Sequence, residues 1–139
     1  MRAEEISTQL ERIAAADDFA AESAGLVESW SSAEAGIEVV EPILRFMEEH
    51  PSIEFGMPGP LVHFIERFYG KGYDGKLIES VERKPTAHTV WMLNRLINGA
   101  RTAERKEPLV TAMEHVRFGP AVDQATLQLA TRFLERLSQ

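Results

Sequence analysis

The sequence predicts an all-α fold. Apolar residues recur at three- and four-residue spacing along almost the whole chain, capping residues stand where those segments begin, and glycine or proline stands where they end. A chain of 139 residues, 44% hydrophobic and 27% charged, has the balance of one globular domain and not of a disordered segment. At this length it buries about two-thirds of its unfolded surface and needs no disulfide or metal to hold it.

Ile6, Leu10 and Ile13 fall at i, i+4 and i+7 and mark the apolar face of a first helix. Asp17 or Asp18 caps a second, with apolar residues Phe19, Leu26, Val27 and Trp30 and a weak point at Gly25. Ser31-Ser32-Ala33-Glu34 has capping-box spacing, so a long segment is expected from there to about His50. Pro42 should kink it, because proline lacks the N–H and crowds the preceding turn. Residues 51–59 form a loop, and Pro60 suits the first position of a helix running to Tyr69. Gly70, Gly72 and Gly75 break the chain around Tyr73, and a short helix over 76–83 stops before Pro85. Thr86 caps a strong helix over 87–98 that ends at Gly99. Thr102 opens another, again kinked by an internal proline, Pro108, and Gly119-Pro120 precede a last helix over 121–137.

A faint internal echo runs through this order. Glu41-Pro42-Ile43-Leu44 is followed by Met47-Glu48, and Glu107-Pro108-Leu109-Val110 is followed by Met113-Glu114 at the same offset. A Gly-Pro helix start follows each, at Gly59-Pro60 and Gly119-Pro120. The prolines Pro42 and Pro108 are 66 residues apart, and half of that suits one helix–turn–helix repeat. On these residues the chain resembles a HEAT-like or armadillo-like α-solenoid over about 33–138. The resemblance implies a short right-handed stack of antiparallel helix pairs, about three over 32–139. Residues 1–31 would form an acidic helical cap of the same single domain. An irregular helical bundle satisfies the same periodicities.

The net charge of -7 is unevenly spread. Residues 1–59 hold three bases against thirteen acids, a net of -10, and residues 60–139 hold twelve bases against nine acids, a net of +3. Such asymmetry bears on partners and association rates, not on fold. No segment approaches the roughly 20 apolar residues that span a bilayer. The first residues lack the apolar core of a signal peptide, so the expected compartment is the cytoplasm.

Catalytic constellations are sparse. Without Cys there is no thiolate nucleophile and no Cys-ligated zinc or iron–sulfur site. Gly70-Lys71-Gly72-Tyr73-Asp74-Gly75 has the glycines of a phosphate loop but lacks both its Gly-Lys-Ser/Thr ending and a preceding strand. Of His50, His63, His88 and His115, only His63 has a carboxylate, Glu66, at i+3 on a helix face; with no second such pair, no metal and no other cofactor is expected. His50 and His115 lie near helix C-termini, where an imidazolium suits the dipole.

Helical wheels are more informative. Leu61, Val62, Phe64, Ile65, Phe68 and Tyr69 fill one face of their helix, leaving His63, Glu66 and Arg67 on the other. Val90, Met92, Leu93, Leu96 and Ile97 form the apolar face of the next strong helix, and Trp91 is not on it: it falls with Asn94, Arg95 and Asn98 on the polar stripe. Gln128, Arg132, Glu135 and Arg136 form the comparable side of the last helix. Trp91 either packs on a neighbouring helix or anchors a partner, the role in which tryptophan and arginine carry most interface energy. In a solenoid, second helices line one concave surface. The candidate partner-binding set is therefore Trp91, Asn94, Arg95, Asn98, His63, Glu66 and Arg67.

The chain also looks like small acidic bacterial immunity-type proteins, some of which are helical repeats. That resemblance implies a non-catalytic protein-binding module, a monomer or weak dimer, that sequesters a basic partner such as a toxin domain. The alternative is a HEAT-like nucleic-acid-binding or DNA-repair protein, a reading that -7 and the lack of a clear general-base aspartate oppose. A metal-dependent helical-bundle enzyme ranks last for want of ligands.

Overall fold

The computed structural model describes residues 1–119 and 122–138. It is all-helical: eight α-helices and two 3-10 turns, with no strand among the described residues. The helices are α1 (Ala3–Ile13), α2 (Phe19–Ser32), α3 (Val40–Glu49), α4 (Pro60–Glu66), α5 (Tyr73–Arg83), α6 (Ala87–Gly99), α7 (Ala103–His115) and α8 (Gln124–Leu137). Two compact units share the chain, Met1–Tyr73 and Asp74–Gln139. No helix among the described residues is long and apolar enough to cross a membrane.

In the first unit α1 packs on α3 and on α2, and α2 packs on α4. Ile6 and Leu10 bury the face of α1 that the periodicity marks out. Asp18 caps α2 by accepting from the Ala21 N–H at 3.1 Å. The Ser31 capping box does not form, because Ser31 and Ser32 belong to the end of α2. The helix closes instead with a left-handed residue, Glu34 (φ 55°). Its N–H donates to the Ser31 carbonyl and the Ala35 N–H donates to the Trp30 carbonyl, the paired bonds that satisfy orphan carbonyls at a helix end.

A 3-10 turn over Ile37–Val39 then leads into α3. Pro42 is the third residue of α3 and not an interior one. The first four N–H groups of a helix have no partner within it, so a proline there costs no hydrogen bond and the expected mid-helix kink has no cause.

Pro60 takes the first position of α4, as its sequence predicts. Gly59 before it sits at φ 86°, and a Cβ on it would run into the Phe55 carbonyl oxygen. Only glycine fits that close approach. The core sets six aromatic rings among ten aliphatic side chains. Phe19 stacks on Phe46 (5.6 Å, 13°) and meets Phe55 edge-on (5.4 Å), and Trp30 lies against Phe64 (5.9 Å). Trp30 is fully buried, and its Nε1 donates to Gln9 Oε1 at 2.6 Å.

In the second unit α6 packs on α7 and α8, and α7 packs on α8. The helices α6, α7 and α8 each start on a side-chain cap. Thr86 and Thr89 cap reciprocally at the start of α6: Thr86 Oγ1 accepts from the Thr89 N–H at 3.1 Å, and Thr89 Oγ1 accepts from the Thr86 N–H at 3.2 Å. Thr102 caps α7 through the Arg105 N–H, and Asp123 caps α8 through the Thr126 N–H. The core is aliphatic, with Val90, Met92, Leu93, Leu96 and Ile97 of α6, Leu109 and Met113 of α7, and Ala130 and Phe133 of α8 all buried. Gly75 lies inside α5 and breaks nothing, and Gly99 ends α6 without a left-handed backbone. Pro120 and Ala121, where the last helix is expected to restart, lie outside the described residues.

Candidate functional site

Helix α6 places the tryptophan stripe as its wheel predicts. Five apolar residues anchor its inner face, and the Thr86–Thr89 box fixes its first turn, so the opposite stripe has little freedom to rotate. Trp91, Asn94 and Arg95 on that stripe are half-buried, and Asn98 is exposed. The Arg95 guanidinium lies over the Trp91 ring at 5.3 Å, one turn on, and the His88 ring, one turn before, lies 5.6 Å away at a tilt of 36°. A cation on the face of tryptophan is attracted by the ring quadrupole, which orients both side chains. The result is a ladder of His88, Trp91 and Arg95 along one helix. His88 is absent from the sequence-predicted set, although its i−3 spacing from Trp91 was there to find.

Helix α4 carries the other predicted residues. His63 is exposed, Glu66 is half-buried, and Arg67 is the exposed C-cap. Arg67 covers the buried Phe64 ring at 5.3 Å, so its stem and guanidinium finish the core edge as well as facing solvent. The three-residue group with metal-ligand geometry among the described residues does not include His63 or Glu66.

That group is Glu11, Glu49 and His50, whose ligand atoms lie within 4.8 Å of one another. His50 caps the C-terminus of α3, its ring tilts onto Phe46 at 4.3 Å, and its Nε2 faces Glu11 Oε1 of α1 at 2.9 Å. Sequence reasoning placed His50 at a helix end but had no means of pairing it with a residue 39 positions away.

The electrostatics differ between the units. Within Met1–Tyr73 there are five bases against fourteen acids, a net of -9; beyond it there are ten bases against eight acids, a net of +2. Eleven of the first unit's acids are exposed: Glu4, Glu5, Glu11, Asp17, Asp18, Glu22, Glu28, Glu34, Glu38, Glu49 and Glu54. Glu38 is held below the ordinary carboxylate range, chiefly because the Gly36 N–H donates to it at 2.9 Å.

Set against protein-family models, curated proteins and solved structures, the chain matches none.

Proposed function

We propose that this chain is a non-catalytic protein-binding module that sequesters a basic protein, as an immunity-type inhibitor holds a toxin domain. The observation that carries the reading is the acidic shell of the first unit, eleven exposed carboxylates against five exposed bases. Such a surface raises the encounter rate with a positively charged partner and rejects acidic ones. The α6 stripe supplies what charge alone does not, an aromatic–arginine anchor on a rigid helix. Within the units, α1 on α3, α2 on α4 and α6 on α8 are next-but-one contacts, the neighbours that stacked helix pairs have. An irregular helical bundle has such neighbours as well. The cytoplasm is the compartment in which such an inhibitor would guard its producer.

The test is purification of the chain with its bound partner from the native host, then reconstitution from purified components. The reading expects one basic protein in a one-to-one complex whose affinity falls as salt rises. Trp91→Ala should weaken it by at least about 2 kcal/mol, roughly thirtyfold, the loss typical of a hot-spot residue. Recovery of no basic partner, or a complex indifferent to salt, overturns the reading.

A further inference from the structure

Glu11, Glu49 and His50 bring an imidazole and two carboxylates to one point on the first unit, where α1 meets the end of α3. We infer that they form a binding site for one divalent transition-metal ion, of which Zn2+ is the natural probe.

The donor set sets the class of ion. An imidazole nitrogen with two carboxylate oxygens suits zinc and its neighbours, whereas Mg2+ and Ca2+ favour all-oxygen shells. Zinc lies about 2.0–2.2 Å from nitrogen and oxygen ligands, so two ligands of one tetrahedral ion stand roughly 3–3.5 Å apart. His50 Nε2 and Glu11 Oε1 are already 2.9 Å apart, and the three donor atoms fall within 4.8 Å. Small rotations of two exposed carboxylates close the remainder.

The imidazole is the least free of the three. Its backbone N–H is bonded to the Phe46 carbonyl, and its ring leans on the Phe46 ring at 4.3 Å. This orientation aims Nε2 at α1 before any ion arrives, and the C-terminal end of α3 adds negative potential there. Arg45, one turn before Glu49 and lining the same notch, is tied back to Glu41 at 3.1 Å. A notch of about 170 Å³ beside the group, lined by Ser7, Glu11, Pro42, Arg45, Phe46 and Glu49, leaves room for the waters that would complete the shell.

Binding replaces the Nε2 proton that faces Glu11 when the imidazole donates there, so the ion takes over a bridge the proton otherwise makes. Three ligands from two helices then clamp α1 to α3 and neutralise two carboxylates of the acidic shell.

The experiment is calorimetric titration of the tag-free full chain, stripped with chelator, with Zn2+. The result expected is one Zn2+ per chain, unaffected by a large excess of Mg2+ and weakened as pH falls. His50→Gln should abolish binding. Glu49→Gln, which leaves the Glu11–His50 contact in place, should weaken it more than about tenfold, since even outer-shell partners are worth about 10- to 100-fold. Far-UV circular dichroism checks that both variants fold. Imidazole NMR gives a second readout: His50 should shift on titration while His63, His88 and His115 do not. No heat of binding, binding that survives His50→Gln, or a shift confined to another histidine overturns the site.

Discussion

The two compact units solve the same problem with different materials. The first holds eight of the eleven aromatic side chains and a net charge of -9; the second holds three aromatics and a net of +2. In the first, α1, α3 and α4 start without a side-chain cap, and α2 alone has one, from Asp18. In the second, α6, α7 and α8 are all side-chain capped. So the first unit draws more of its order from tertiary packing, rings and aliphatic side chains together, and the second draws more of it from local hydrogen bonds at helix starts. Each unit also has half-buried rings, Phe68 and Tyr69 in the first and Trp91 in the second, but only the second has an exposed one, Phe118, with 84% of its surface exposed. A large ring left in water is where a partner gains most by covering it.

The largest loss is expected at Trp30. Its ring is fully buried against Phe64, and its Nε1 donates to Gln9. Trp30→Ala removes an anchor between α2 and its neighbours and strands the Gln9 carbonyl. We expect a loss of about 3–5 kcal/mol in denaturant unfolding, the usual cost of truncating a buried aromatic residue. Trp91→Ala, on a half-buried ring outside the apolar face of α6, should cost far less in the same measurement. Equal losses from the two substitutions would mean that Trp91 is a core residue, and the α6 stripe would lose its place as a binding surface.

The next test falls on the second unit's caps. Thr102 Oγ1 accepts from the Arg105 N–H at 3.2 Å at an exposed helix start, where no packing complicates the reading. Thr102→Ala should cost about 1 kcal/mol, and Thr102→Asp should restore most of it because aspartate accepts the same bond. If the loss is negligible, local capping is not what orders this unit. The buried Thr86 is a poorer site for the test, because it shares its bond with Thr89 and any loss mixes capping with packing.

What the sequence made legible divides along the same line. Features set within about four residues are readable: a cap for α2 at Asp17 or Asp18, the caps at Thr86 and Thr102, Pro60 at the first position of α4, and the wheel that puts Trp91 apart from Val90, Met92 and Leu93. The Ser31 capping box misled because serine at a helix start and serine in a last turn look alike until the left-handed Glu34 is known. Pro42 misled for a related reason: its effect depends on whether it is third or tenth in its helix. Gln9 with Trp30, and Glu11 with His50, were beyond reach, being 21 and 39 residues apart. Helical periodicity says which face is buried, but not which helix it is buried against.

The smallest expected effect lies where the chain leaves α2 for α3. Glu38 folds back so that its carboxylate accepts from the Gly36 N–H, which stabilises the charged form, and the Met1 ammonium at 3.5 Å adds to it. Its folded pKa is therefore depressed below the ordinary 4.5. A depressed carboxylate binds fewer protons folded than unfolded, so its contribution is present above the unfolded value and is lost as pH falls through the folded one. Glu38→Gln should accordingly lower the urea midpoint slightly at pH 7, and the gap between variant and parent should narrow as pH falls below the ordinary carboxylate value. The side chain is exposed to water, which screens the effect and keeps it small. A gap that widens on acidification would reverse the sign and mean that folding raises the Glu38 pKa instead of depressing it.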